Sequence, residues 1–426
     1  MNPLEAYAYL KQLGNEVLHM QLTLEPAARV LQELGNPHYS FRTLLIGGTN
    51  GKGSVSSFAA SMLRQAGYRT GLYTSPHLES VLERINIDGA AISPEDFAFS
   101  LSQVVDAQDK LAHAETLPRN LTYFEAMTTA AFHAFQRQSV DIAILEVGLG
   151  GRLDATNLSQ PLVCCITTVG RDHCDILGSA IPDIAREKAG IARPARPLWL
   201  GLMSDEAEQA IRRSAPESLI LRLADTHWAS RDTGSGRHRV QMRCGHENIE
   251  FQLRLFGEHQ AANAALAVRL VESLAAAGLK IPKAAIAPAL EATEIPGRLE
   301  KVLSHPIFFI DGGHNQPAME AVARFIRDKF PEKVHLVFAM MKDKEIAACA
   351  GILAPLCREV FLTPVQNARS ASAAQLKQYF PNNSCTVTRN SEEATTLGLA
   401  AAGEHGTLLA CGSLYLVGEI KTLLRR

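Results

Sequence analysis

The sequence has no long apolar run, no block of like charges and no low-complexity segment, and each absence excludes a class of protein. Its most apolar region, residues 394–418, is interrupted by Glu404, His405 and several glycines, so we expect no transmembrane span. The N-terminus carries Glu5 and no apolar core, which argues against a secretory signal. Because 42 basic residues nearly balance 44 acidic ones, we expect neither nucleic acid nor a membrane as a partner.

Cysteine pairs of the metal-binding type are also missing. The eight cysteines are scattered, none are spaced as Cys-x-x-Cys, and Cys164 and Cys165 are adjacent inside an apolar run. This pattern is typical of buried, reduced thiols in a cytoplasmic protein. A structural zinc site is not expected, although Cys174 directly follows His173.

The chain does contain an alternation of apolar β-type runs with segments of helical period. Its 426 residues are enough for two or three domains. Strands are predicted at 43–46, 70–74, 140–146, 162–168 and 197–202, and helices at 54–66, 94–114, 123–138 and 182–192. This alternation indicates an α/β fold with a mostly parallel sheet covered by helices on both faces. The more polar residues 225–256 predict an antiparallel hairpin, and residues 259–277 predict a long alanine-rich helix.

A domain boundary is predicted at "EIPGRLE", residues 294–300, where Pro296 and Gly297 interrupt the pattern. We therefore expect one domain over residues 1–295 and a smaller α/β, Rossmann-like domain over residues 296–426. In the second domain, strands are predicted at 307–311, 333–338, 359–363 and 407–411, and helices at 316–329, 344–353, 371–379, 391–402 and 414–424.

A glycine-rich loop follows the first predicted strand, in "TLLIGGTNGKGSV". Glycines let backbone N–H groups face phosphate oxygens, the next helix adds a favourable dipole, and Lys52 adds a positive charge. The loop, residues 47–54, departs from the pattern G-x-x-x-x-G-K-[ST], since Ile46 replaces the first glycine and Gly53 replaces a hydroxyl that would hold magnesium. We predict phosphate binding here; the alternative is a turn that binds nothing.

Polar residues follow three further predicted strands. Glu146 leaves an apolar strand, and because burying a bare carboxylate is costly it needs a partner, either Mg²⁺ or a base such as Arg152. Ser75, in "YTSPHL", would lie at the carboxyl end of the sheet, where ligands bind in open α/β folds, unless it is an ordinary turn serine. His173 is either an imidazole ligand for a metal or a surface or hydrogen-bonded residue.

Five more residues have both a functional and an ordinary interpretation. Lys188 lies late in a predicted helix, where most lysines are solvated. Asn263 is either a ligand contact or a helix-interior amide, and Arg298 either a ligand contact or a linker charge. Asp311 and His314 follow the first strand of the second domain, where a loop that caps the next helix is the alternative.

Taken together, these motifs resemble the folylpolyglutamate synthase family, and most closely its bacterial bifunctional members that are also dihydrofolate synthases. That family is related to the Mur ligases. The matching motifs run in order from residue 48 to residue 417: "GTNGKGS", "YTSPHL", "LTYFE", "LEVGLGGRLDATN", "DHCDILG", "IAREKAGI", "GEHQAANA", "PGRLE", "DGGHNQPA" and "CGSLYLV". The resemblance implies a P-loop, Mur-ligase-like domain followed by the smaller α/β domain.

The resemblance implies two Mg²⁺ ions, with Ser75, Glu146, His173 and Lys188 as ligands. Lys188 matches a lysine that is carbamylated in the family. A carbamate is a carboxylate on a long arm and can coordinate a cation that an ammonium would repel. The lack of a hydroxyl at Gly53 is consistent with this ligand set, because the resemblance assigns the magnesium-binding hydroxyl to Ser75.

The implied reaction is a ligation in two steps. ATP phosphorylates a substrate carboxylate, and the amine of L-glutamate then attacks the acyl phosphate. The resemblance makes Lys52, Lys188 and His173 the catalytic residues. It assigns ATP binding to Gly48, Thr49, Asn50, Gly51, Lys52, Gly53, Ser54, Asn263, Arg298, Asp311 and His314. The implied substrates are ATP, L-glutamate, dihydropteroate and reduced folates, and the protein is expected to be a cytoplasmic monomer.

The pterin or folate would contact two segments that match the bifunctional enzymes, namely Thr122, Tyr123, Phe124 and Glu125, and Leu153, Asp154 and Ala155. The aromatic pair suits a flat pterin, but it could equally be the first turn of a core helix. Three residues depart from the family pattern: Gly313, Gln316 and Cys174. The alternatives are a monofunctional folylpolyglutamate synthase, a Mur-type amino-acid ligase and a P-loop protein that is not a ligase.

Overall fold

An eight-stranded sheet forms the centre of the first part of the chain. The structure, a computed structural model, describes residues 1–14, 21 and 23–425. The strands are β1 (Arg42–Gly47), β2 (Thr70–Tyr73), β3 (Ile85–Ile87), β4 (Ala90–Ala91), β5 (Ile142–Glu146), β6 (Val163–Ile166), β7 (Pro197–Leu200) and β8 (Leu219–Arg222). They lie in the order β4-β3-β2-β5-β1-β6-β7-β8, and only the pairs made by β3 are antiparallel among these strands. The predicted, mostly parallel sheet is confirmed.

Helices cover both faces of this sheet. They are α1 (Pro3–Gln12), α2 (Glu25–Glu33), α3 (Lys52–Gln65), α4 (Pro94–His113), α5 (Tyr123–Arg137), α6 (Cys174–Leu177), α7 (Ile181–Ala189), α8 (Asp205–Ser214), α9 (Glu258–Ser273) and α10 (Ile286–Ala292). Helices α4 and α5 contribute to a core on one face, and α3 and α9 contribute to a core on the other. As a result Leu44, Leu45 and Ile46 of β1 are fully buried, as in a strand covered on both sides.

A small antiparallel sheet stands where the sequence predicted a hairpin. It has three strands instead of two, β9 (Trp228–Asp232), β10 (Arg237–Cys244) and β11 (Glu247–Phe256). Along β10, buried Val240, Met242 and Cys244 alternate with exposed residues, so one face packs on the core and the other faces solvent.

A second, six-stranded sheet completes the fold. Its strands are β12 (Glu300–Ser304), β13 (Ile307–Asp311), β14 (Val334–Phe338), β15 (Cys357–Leu362), β16 (Ser384–Val387) and β17 (Thr407–Cys411), in the order β12-β13-β17-β14-β15-β16. Its helices are α11 (Gln316–Lys329), α12 (Ile346–Leu353), α13 (Ala373–Lys377), α14 (Ser391–Ala402) and α15 (Leu414–Leu424). All pairs except β12–β13 are parallel. Among the residues that the structure describes, no helix is both long and apolar enough to cross a bilayer.

The two large sheets bring the carboxyl ends of their strands to one cleft. Glu146 ends β5, Ser75 follows β2, and Asp311 ends β13, and all three line the same cavity. Ligands bind at this edge of parallel sheets because the loops and helix N-termini gather there.

Candidate active site

The glycine-rich loop is held in place by the two threonines that follow β6. Gly48 has a φ of +140°, and a Cβ atom there would lie 2.0 Å from the Oγ1 atom of Thr167, so no larger residue fits. The backbone N–H of Thr49 donates to the carbonyl of Thr168 at 2.8 Å, and that of Asn50 donates to the hydroxyl of Thr168 at 3.0 Å. The loop is therefore preorganised by its neighbour in the sheet.

Helix α3 begins in this loop with an uncapped N-terminus. Its N-cap residue is Gly51, with a φ of +85° and no side-chain cap, so the first backbone N–H groups remain available to an anion. The ammonium of Lys52 donates to the carbonyls of Gly48 at 3.1 Å and Thr49 at 3.2 Å, folded back over the loop. This arrangement is suited to phosphate.

The space beside Gly53 is occupied by a carboxylate. A Cβ on Gly53 would lie 3.4 Å from the Oε2 atom of Glu146, and the same oxygen accepts a hydrogen bond from the backbone N–H of Ser75 at 3.3 Å. Burial raises the pKa of Glu146, and the positive charge of Lys52 opposes this shift. A buried carboxylate beside a hydroxyl-bearing turn is a site that favours a hard cation.

Lys188 is buried next to the same loop. Its side chain comes from α7, is only 4% exposed, and donates to the carbonyl of Gly48 at 3.0 Å. Lys52 donates to the same carbonyl, so two amines share one acceptor. Burial, and next the charge of Lys52, lower the pKa of Lys188 to about 7. A large part of this amine is therefore neutral at neutral pH.

His173 approaches the cavity from the N-terminus of α6, in a left-handed conformation with a φ of +51°. Its Nε2 atom lies 3.5 Å from the ammonium of Lys344. Burial, and next the charge of Lys344, lower the pKa of His173 to about 4. The imidazole is therefore neutral at neutral pH, which is the form that binds metals.

The donor set fits magnesium better than a softer metal. Glu146 and Ser75 offer oxygen atoms, which hard cations prefer. Over residues 1–14, 21 and 23–425, no group of three or more His, Cys, Asp and Glu side chains is arranged to hold a metal ion. A hard cation at this site would therefore need the Ser75 hydroxyl or substrate phosphates to complete its coordination.

The second part of the chain contributes Asp311, Arg298 and His314. Asp311 accepts hydrogen bonds from the backbone N–H groups of Leu299 at 2.8 Å and Gly313 at 2.7 Å. Burial raises the pKa of Asp311, and Arg298 opposes the shift. Asp311 thus fixes the backbone at Leu299 and at Gly313. Their chain neighbours Arg298 and His314 both line the cavity.

A polar cluster that the sequence reasoning missed joins the two parts of the chain. Lys344 donates to Asp172 at 2.5 Å, and Asn315 donates to Asp172 at 3.1 Å and to Asn50 at 3.0 Å. Although burial opposes the charged form of Asp172, the hydrogen bond and charge of His314, together with Lys344, hold its pKa well below the usual value. No local pattern marks Lys344, so no sequence signal identified it.

A cavity of about 500 Å³, within the range of small-molecule sites, connects these groups. It is lined by every residue that the sequence predicted for ATP and metal, namely Gly48, Thr49, Asn50, Gly51, Lys52, Gly53, Ser54, Ser75, Glu146, His173, Lys188, Asn263, Arg298, Asp311 and His314. His259, Gln260, Arg369 and Ser413 also line it and were not predicted.

Of the seven residues predicted to contact the pterin, only Phe124 lines this cavity. Thr122 and Glu125 form a capping box at the start of α5, and Glu125 also accepts two hydrogen bonds from Arg119, at 2.7 and 2.8 Å. Leu153, Asp154 and Ala155 do not line the cavity. The guanidinium of Arg84 lies 5.3 Å from the centre of the Tyr123 ring. The pterin contacts of these six residues stay a prediction.

Asp154 stabilises the loop that follows Glu146. Its carboxylate accepts hydrogen bonds from the backbone N–H groups of Gly148 at 3.0 Å, Leu149 at 2.9 Å and Thr156 at 3.0 Å. We expect Asp154→Ala to lose about 2 kcal/mol of stability, because buried donors lose their acceptor. Thermal unfolding checks this, with exposed Asp109→Ala as the control. An unchanged midpoint combined with a loss of pterin affinity would instead make Asp154 a direct substrate contact.

Comparisons with protein families identify two regions of the chain. The Mur ligase middle domain matches residues 46–271, and the Mur ligase glutamate ligase domain matches residues 297–414. The first match contains the glycine-rich loop, Glu146 and Lys188, and the second contains Arg298, Asp311 and Lys344.

Curated relatives carry folate-related names. The chain is 32% identical to the dihydrofolate synthase/folylpolyglutamate synthase of Bacillus subtilis, over 93% of this chain and 94% of the relative. It is 30% identical to the Escherichia coli protein of the same name, over 99% of this chain and 96% of the relative. It spans about half, 49%, of a probable bifunctional folylpolyglutamate synthase/dihydropteroate synthase of Halobacterium salinarum, with 34% identity over 93% of this chain.

Solved structures agree along the whole chain. The Escherichia coli FolC structure in complex with DHPP and ADP superimposes with a TM-score of 0.87 at 28% identity, covering 99% of this chain and 97% of that one. The Mycobacterium tuberculosis folylpolyglutamate synthase complexed with ADP gives 0.89 at 29% identity, covering 100% and 98%. A Yersinia pestis bifunctional enzyme with AMPPNP and Mn gives 0.84 at 28%, covering 100% and 98%. The predicted family is confirmed: this chain belongs to the dihydrofolate synthase/folylpolyglutamate synthase family of Mur-type, ATP-dependent ligases.

Proposed function

We propose that this protein joins L-glutamate to dihydropteroate, forming dihydrofolate, and to reduced folates, forming folylpolyglutamates. The observation that carries the proposal is the position of three groups around one loop: Lys52, Glu146 and Lys188 meet at the glycine-rich turn and line a cavity shared by both sheets. A P-loop protein that only hydrolyses nucleotide should tolerate the loss of Lys188.

In the first step, a carboxylate oxygen of the folate substrate attacks the γ-phosphorus of ATP and ADP leaves. Negative charge on the phosphoryl oxygens is stabilised by Lys52 and by the N–H groups at the start of α3. Ser75, Glu146, His173 and carbamylated Lys188 would hold two Mg²⁺ ions. When bound, the ions neutralise charge on the phosphates.

In the second step, the amine of L-glutamate attacks the acyl carbon, the C–O bond to phosphate breaks, and the amine loses a proton. Lys344 and Arg369 line the cavity from the second part of the chain, where they pair with Asp172 and Asp343, and they would be placed to bind the carboxylates of glutamate. The step requires no covalent enzyme intermediate. Because the eight cysteines are unpaired, we propose that the protein is cytoplasmic. Because all these groups come from one chain, we propose that it acts as a monomer.

The bifunctional assignment is tested by ADP release with ATP, magnesium and L-glutamate, adding dihydropteroate or tetrahydrofolate in separate reactions. We expect both acceptors to stimulate ADP release, and L-glutamate to be needed for continued turnover. Stimulation by tetrahydrofolate alone would make the protein a monofunctional folylpolyglutamate synthase. Stimulation by neither would exclude the proposed function.

A further inference from the structure

Leu78 connects the turn that carries Ser75 to the second sheet. Its partly buried side chain packs on a core cluster that includes Phe308, Ile310 and Val417. Of the described residues before β12, only Leu78 joins this cluster. Leu78 is therefore an apolar anchor from the first part of the chain that packs against the core of the second.

Two glycines make room for this anchor. A Cβ on Gly418, in α15, would lie 2.1 Å from the carbonyl oxygen of Leu78, so the helix backbone and the turn are in direct contact. A Cβ on Gly297, which has a φ of +70°, would lie 3.5 Å from the Leu78 side chain and 2.9 Å from that of Val417. Any larger residue at Gly418 must displace either the helix or the turn.

Hydrogen bonds hold this turn at Leu78 and again at Ser75. The carboxylate of Glu83 accepts hydrogen bonds from the backbone N–H groups of Leu78 at 2.9 Å, Glu79 at 3.1 Å and Ser80 at 2.8 Å. At the other end, the backbone N–H of Ser75 donates to Glu146 at 3.3 Å. Because the turn is held at both ends and Leu78 is only three residues from Ser75, we expect a displacement at Leu78 to move Ser75.

Helix α15 reaches the cavity as well. It is capped by Ser413, which lines the cavity five residues before Gly418. Its far end contacts the carboxylate of Glu79 through Thr422 at 3.3 Å and Arg425 at 3.0 Å. One helix thus contacts both the cavity and the turn.

We propose that Leu78 is a positioning residue: its docking between Gly418 and Gly297 sets Ser75 beside Glu146, so that the cation site is complete only when the second sheet is seated on the first. This inference rests on the proposed function, in which Ser75 is a magnesium ligand. Its consequence is that magnesium affinity depends on an apolar contact made by a residue that does not line the cavity.

The test compares Leu78→Ala and Gly418→Ala with the wild-type protein. Calorimetry measures AMPPNP affinity with and without Mg²⁺, and ADP release gives the Mg²⁺ concentration for half-maximal rate. In both variants, the factor by which Mg²⁺ increases AMPPNP affinity should fall about tenfold, because small displacements of ligating groups are costly. The Mg²⁺ concentration that gives the half-maximal rate should rise. Affinity without Mg²⁺ should change less than about twofold, as phosphate contacts in the loop are untouched.

Gly351→Ala is the matched control, since it lies in α12 with nothing within 4 Å of its added Cβ. Leu78→Met should restore the wild-type Mg²⁺ dependence. The inference is overturned if Leu78→Ala lowers only the unfolding temperature and leaves the Mg²⁺ dependence unchanged. A wild-type protein without glutamate-dependent turnover would instead overturn the proposed function, so the two failures are distinguishable.

Discussion

Replacing Lys52 with methionine is expected to lower kcat for ligation at least about a thousandfold, the largest effect of any single change in this site. Lys52 stands at the first turn of α3, with its ammonium folded over the loop carbonyls of Gly48 and Thr49. When phosphate binds, the charge is already within reach of the oxygens that become more negative in the transition state. Such preorganised charge acts mainly on the rate because it needs no rearrangement during the reaction.

The measurement is the single-turnover rate of ADP formation with dihydropteroate and no glutamate, which isolates the first step. Lys52→Arg should also be slow, because a planar guanidinium does not match a site built for a compact ammonium. Lys110→Met is the control: that lysine is 72% exposed and pairs with Glu33 far from the cavity. A normal rate in Lys52→Met, with only weaker nucleotide binding, would restrict Lys52 to ground-state binding.

Local sequence identified the parts of the site that lie at strand ends. The loop at residues 47–54, Ser75 and Glu146 all follow buried strands, and parallel strands bring their carboxyl ends together whatever the order of the sheet. The bounds of helices could also be predicted where the sequence contains a clear N-cap residue. Gln316–Lys329 and Ser391–Ala402 match their predicted bounds, and each follows an asparagine cap.

Contacts between distant segments could not be predicted in the same way. Asp172 and Lys344 are 172 positions apart, and their pairing depends on how the two sheets meet. Edge strands were also missed, since β12 ("EKVLS") is too polar to be distinguished from a loop. In "LTYFE" the pattern Thr-x-x-Glu was available as a capping box, and the structure uses Thr122 and Glu125 in that way.

Lys188→Gln is expected to lower kcat about a hundredfold or more, which is the second-largest effect that we expect. Two amines donate to the carbonyl of Gly48, and burial together with Lys52 lowers the pKa of Lys188 to about 7. A substantial part of the amine is then neutral at pH 7, whereas an ordinary lysine is almost entirely charged. A neutral amine attacks CO₂, a C–N bond forms and a proton leaves, which converts a repelled cation into an anion.

The sign of the pH dependence follows from this chemistry. The lowered pKa means that the neutral form grows as pH rises through about 7, so at fixed dissolved CO₂ we expect carbamate occupancy to increase from pH 6 to pH 8. Replacing Lys52 with a neutral residue should lower carbamate occupancy, because the loss of a neighbouring positive charge raises the pKa of Lys188. The effects of Lys52 and Lys188 variants on kcat are therefore expected to be non-additive.

Carbon-13 bicarbonate and NMR measure the carbamate directly. The wild-type protein should show a carbamate signal that is absent in Lys188→Gln and retained in Lys329→Gln, a lysine that is also largely buried but is paired with Asp232. Activity should fall in buffer free of CO₂ and return with bicarbonate. Full ligase activity in Lys188→Gln, or a wild-type protein without the signal, would contradict the carbamate; Lys188 would then act as a buried amine that holds the loop through Gly48.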